Sequence, residues 1–122
     1  MHKVTVDRIN KLIDVRLSGD LDVAAMEASG VAARAAVRSL GLGPGAHVAL
    51  YDISDAGLVG DAAIASALEQ WADPRYTCVR GRKVALVVPS ALNRMKIAGP
   101  TATRDNMAVF ASRADAMRWL FA

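Results

Sequence analysis

The chain has 122 residues, 53% of them apolar and 22% charged, and carries a net charge of +3. That length suits one domain over residues 1–122, and the apolar share excludes a disordered chain. A lone cysteine, Cys78, excludes an intrachain disulfide and a cysteine-based zinc site, and no apolar run reaches the roughly 18 residues of a membrane span.

The first residues, MHKVTVDRIN, lack the basic-then-apolar layout of a signal peptide, so the expectation is a soluble cytoplasmic protein. Apolar residues alternate over 4–6 and 12–17, the period of half-buried strands, and Arg8-Ile9-Asn10-Lys11 between them reads as a hairpin turn. Gly19 breaks the second strand. Asp20 and Asp22 in GDLD then offer N-caps for an Ala-rich helix over 23–40, which Gly41 closes. The turn Gly-Leu-Gly-Pro-Gly at 41–45 is no phosphate loop, because it follows a helix and no Lys-Ser/Thr comes after it.

Continuous apolar runs at 48–53 and 84–88 predict central strands covered on both faces. A helix at 61–72 places Ile64, Leu68 and Trp71 at i, i+4 and i+7 and stops near Pro74. The next helix starts after Pro89 with Ser90 as N-cap, sets Leu92 and Met95 on one side and yields to Gly99-Pro100. A strand at 107–111 and a helix at 114–121, packing Met117 and Leu120, complete the order β-β-α-β-α-β-α-β-α. This is an α/β chain with a mostly parallel five-stranded sheet, one antiparallel edge strand and helices packed on it.

Charge is uneven: residues 1–61 sum to −2 and residues 62–122 to +5. The basic half suits an anionic partner, or else Arg75, Arg80, Arg82, Lys83, Arg94, Lys96 and Arg104 are solvated helix ends and loops. No aromatic or Gly pattern interleaves them, which argues against nucleic acid.

The stretch YDISDAGLVGDAAI, residues 51–64, joins a strand to a helix and holds the candidate site. Asp52 ends a central strand and fits either a ligand crevice or a bond to loop backbone. Ser54 and Asp55 read first as turn formers and second as partner contacts, and Asp61 reads first as an N-cap. His47 reads as a surface histidine with no second metal ligand and no triad around it, and Cys78 as an ordinary half-buried thiol. Trp71, Trp119, Phe110 and Phe121 fill the core or line an apolar cavity. No catalytic set, cofactor motif or metal site emerges, so the expectation is a non-enzyme.

The order of GDLD after the second strand, VALYDIS as the third, KVALVV as the fourth and AVFASRADAMRWL at the end resembles the STAS domain, the fold of bacterial anti-sigma-factor antagonists. The resemblance covers nearly the whole chain. The closing VFASRADAMRWL is most similar to small stand-alone STAS-like proteins, which are grouped with SEC14-type lipid-binding domains. In the antagonists a strand leads to Asp-Ser-Ser-Gly-Leu, whose second serine is phosphorylated by a partner kinase. Laid without gaps on this chain, that motif falls on Gly60-Asp61-Ala62-Ala63-Ile64, so Ala62 takes the acceptor's place and no hydroxyl is available there. Two readings follow. One is a protein-interaction module working through Asp52, Ser54, Asp55, Leu58, Asp61 and Ala62; the other is a carrier of an apolar or anionic small ligand of the SEC14 type. Both leave room for peripheral membrane contact and a homodimer.

Overall fold

A computed structural model describes residues 1–102 and 104–122, and of Thr77 and Cys78 the backbone alone. The sequence reading of Cys78 lies outside the described residues. Its elements follow the expected order: β1 (His2–Asp7), β2 (Leu12–Leu21), α1 (Val23–Ser39), β3 (Val48–Val59), α2 (Asp61–Ala72), β4 (Lys83–Val87), α3 (Ala91–Thr101), β5 (Met107–Phe110) and α4 (Arg113–Leu120). A short 3-10 helix, Pro74–Val79, links α2 to β4 and is absent from the sequence expectation.

The hairpin forms where expected. Asp7 Oδ1 accepts the backbone N–H of Ile9 at 3.1 Å and of Asn10 at 3.0 Å, and Lys11 takes φ +55° to re-enter the sheet. The five strands lie side by side in chain order, β1 antiparallel to β2 and the rest parallel. Because strand side chains alternate, each strand serves two cores. Ile13, Val15, Ala49, Val84 and Leu86 face α1, α2 and α3, while Leu12, Val48, Leu50, Ala85 and Val87 face Ala116 and Leu120 of α4.

That three-to-one division explains the sequence pattern. β3 and β4 are apolar on both faces because both are covered, and β2 alternates because α4 leaves Asp14 and Arg16 at its margin. Phe110 stacks on Trp119 at 5.6 Å in the α4 core, whereas Trp71 meets Tyr51 edge-on at 5.6 Å under α1, and Phe121 stays half exposed.

Four expectations are corrected. Neither β2 nor β3 stops where the sequence suggests, at 17 and 53. They lengthen each other through the pairs Ser18↔Asp55, Gly19↔Ala56 and Leu21↔Val59, with register shifts absorbed around Gly19 at φ +75°. Secondly, α3 runs past Gly99-Pro100, its last turn anchored by the buried Thr101 hydroxyl on the Ile97 carbonyl at 2.9 Å. Ile97 and Thr101 are its buried residues, and Leu92 and Met95 are exposed. His47 is not a surface residue: it is 3% exposed, under α1 and beside Gly81. Lastly, three of the basic residues read as solvated bond the backbone: Lys83 to the Trp119 carbonyl at 2.8 Å, Arg94 to those of Val88 and Pro89, and Arg104 to that of Trp71 at 2.8 Å.

Candidate functional site

The strand-to-helix stretch is not a loop. Residues 54–59 continue β3, so Ser54 and Asp55 sit on a strand and α2 begins two residues beyond its end. Asp20 does not cap α1; Asp22 does, accepting the Ala25 N–H at 2.8 Å. Asp20 instead reaches across the sheet and accepts the Leu58 N–H at 2.9 Å. Gly57 permits this, since a Cβ there would lie 2.4 Å from Asp20 Oδ1.

Asp61 is likewise not the N-cap of α2. Gly60 occupies that place without a side-chain bond, and Asp61 stands in the first turn, where the helix dipole favours its charge. Its carboxylate faces Lys96 of α3 at 3.8 Å, and both groups are well exposed. Leu92 (65% exposed) and Met95 (76%) lie on α3 with Lys96, and Leu58 (77%) lies on β3 three residues before Asp61. The carboxyl end of β3 and the first two turns of α3 thus leave large apolar side chains exposed, and Lys96 of α3 faces Asp61 at the start of α2. Ala62 is exposed in the same first turn of α2. The two serines nearest to it in sequence are committed: Ser54 hydrogen-bonds Asp52 and Ser66 is buried.

Asp52 belongs to a different constellation, on the α4 face. Its Oδ1 accepts the Ser54 N–H at 2.9 Å and the Ser54 hydroxyl, and its Oδ2 accepts Arg113 Nη1 at 3.2 Å. Arg113 also pairs with Asp14 through Nη2. Burial works against the Asp52 carboxylate, yet the Ser54 and Arg113 hydrogen bonds hold its pKa below the usual value. Asp52 is therefore saturated with partners and ties β2, β3 and α4 together. Asp55 is exposed, opposite Ser18. Leu58, Asp61 and Ala62 are each exposed where β3 passes into α2, whereas Asp52 and Ser54 are tied into the Arg113 cluster. Leu92, Met95, Lys96 and Arg113 were not singled out as site residues by sequence reasoning. The first two were legible only as apolar positions on a helix.

Among the described residues no group of three or more His, Cys, Asp or Glu is placed to hold a metal ion, and no helix is long and apolar enough to cross a membrane.

The sheet order, the antiparallel β1 and the four helices define a STAS-like fold. Solved structures share it, among them the following three. An uncharacterized protein of the DUF3478 family with a SpoIIAA-like fold, from Shewanella loihica PV-4, matches with a TM-score of 0.68 and 16% identity, over 98% of this chain and 92% of that one. An anti-sigma factor antagonist from Mycobacterium paratuberculosis gives 0.67 and 16%, over 100% and 94%. The anti-sigma factor antagonist SpoIIAA in its unphosphorylated form gives 0.64 and 14%, over 100% and 99%. No family model and no curated protein matches the sequence.

Proposed function

We propose that the chain is a non-enzymatic, cytoplasmic protein-interaction module that docks a protein partner on the carboxyl end of β3 and the first turns of α2 and α3. The observation that carries this reading is the exposure of Leu58 at the carboxyl end of β3 and of Leu92 and Met95 on α3, the helix whose Lys96 faces Asp61 of α2. Large apolar side chains left bare beside a charged pair supply what an interface core needs, apolar anchors within a polar rim. Two of the structural neighbours are anti-sigma factor antagonists, which supports a protein partner. With Ala62 at the aligned acceptor position, partner choice is not set by phosphorylation there, and the fixed charge of Asp61 is always present. An extended lipid asks for a pocket of roughly 300 Å³ or more. The two cavities against the sheet, of about 80 and 50 Å³, favour partner binding over lipid carriage.

The test is capture of interaction partners by wild-type chain, Leu58→Glu and Asp61→Lys, each first shown to melt like wild type. Both variants are expected to lose a partner that the wild type retains. Retention of every partner by both, or self-association as the sole interaction of the wild type, would overturn the reading.

A further inference from the structure

A second constellation lies at the opposite end of the sheet, where β3, β4 and β5 begin. His47 immediately precedes β3, Gly81 stands just ahead of β4, and Arg104 and Asn106 just ahead of β5. With α1, α2 and the 3-10 helix above, these residues line a partly open cavity of about 80 Å³. Small side chains make the space: Gly30 and Ala33 of α1, Ala67 of α2 and Ala49 on the sheet. Its floor is apolar, with Ile13, Ala49 and Val84.

The polar part of the lining is one-sided. Arg34, Arg80, Arg104 and His47 line the cavity, and among the described lining residues there is no Asp or Glu. Arg34 is fixed, donating from Nη1 to Gln70 Oε1 at 2.9 Å and stacking 3.9 Å above the Tyr76 ring. Gln70 reaches that position because Gly30 has no side chain; a Cβ there would lie 1.8 Å from Gln70 Oε1. Arg104 is fixed by its bond to the Trp71 carbonyl, yet its Nε is buried with no acceptor among the described residues. Among the described residues, the Arg80 guanidinium has the exposed Asp105 and Asn106 at 3.5 Å. The His47 ring, almost wholly buried, lines the same cavity.

A buried N–H without an acceptor costs free energy, and crowded like charges cost more. Both costs are relieved by one species, an oxyanion bound among the arginines. We infer that this cavity binds a small organic carboxylate, its carboxylate on Arg104 with Arg34 and Arg80 flanking, and its short apolar body over Ile13, Ala49 and Val84. The mixed lining selects this over inorganic phosphate, which leaves the apolar floor unfilled, and over an uncharged molecule, which leaves Arg104 Nε unpaired. The site shares no residue with the proposed partner face, so either can fail without the other.

The experiment is titration of the full chain with butyrate, followed by amide NMR shifts, with n-butanol and inorganic phosphate as matched probes. Butyrate is expected to give saturable shifts at Gly30, Arg34, Gly81 and Asn106 and none at Leu58 or Asp61. n-Butanol and phosphate each bind about tenfold more weakly or not at all, and Arg104→Gln weakens butyrate about tenfold, the size of one charge-assisted hydrogen bond. Arg80→Gln, at a half-exposed position that tolerates change, also weakens it and serves if Arg104→Gln does not fold. No saturable shift with millimolar butyrate overturns the inference. So do n-butanol or phosphate binding as well as butyrate, and unchanged butyrate affinity in the folded arginine variants.

Discussion

Replacing Asp52 with alanine removes one of the two carboxylates on Arg113 and the acceptor of both Ser54 hydrogen bonds. Since Asp14 still pairs with Arg113, the guanidinium is not stranded, and the expected loss is about 1–3 kcal/mol in urea unfolding. Asp52→Asn preserves an oxygen for Ser54 and loses less. Equal stability of Asp52→Ala and wild type would show that the cluster contributes nothing net. The sequence displays Asp52 as a carboxylate ending an apolar run, and that much was legible. Arg113, 61 positions away, was not, because the pairing exists only once α4 has crossed the sheet. His47 was misread for a related reason: its burial depends on α1 lying over it and on Gly81 letting it tuck against β4, neither of which leaves a local mark.

Among the elements, those set by local rules were legible and those set by pairing were not. Helix α2 occupies 61–72 as expected, because its i, i+4, i+7 apolar positions and the stop before Pro74 are local signals. Residues 54–60 read as a loop because Ser, Asp and Gly favour turns, yet pairing with β2 overrides that preference. This pairing hangs partly on the Asp20–Leu58 bond, which is exposed to solvent. Gly57→Ala, by driving a Cβ towards Asp20 Oδ1, is expected to break it and fray the end of β3 at a cost of about 1 kcal/mol. The check is hydrogen exchange: the Leu58 amide should lose protection while those of Leu50 and Leu86, deep in the sheet, keep theirs. Uniform protection along β3 in the variant would show that strand pairing, not Asp20, holds the segment.

At the scale of the whole molecule, the amino end and the middle of β3 carry titratable groups whose linkage to folding has the same sign. Loss of solvation holds the buried His47 below its ordinary 6.5. The unfolded chain therefore takes up this proton first as pH falls, so stability is complete above about pH 6.5 and declines below it until the folded histidine titrates. Asp52 is also depressed, below its ordinary 3.8, so its contribution is present above about pH 4 and disappears as pH falls through the folded value. Melting temperature against pH should accordingly be level near neutrality, step down below about 6.5, and step down again below about 4. The steps report the amino end of β3 and a position midway along it, and should separate genetically. His47→Gln is expected to abolish the first step and keep the second, while Asp52→Asn keeps the first and diminishes the second. A first step that survives in His47→Gln would place its origin in some other group and remove the basis for a neutral, buried His47 at the amino end of the sheet.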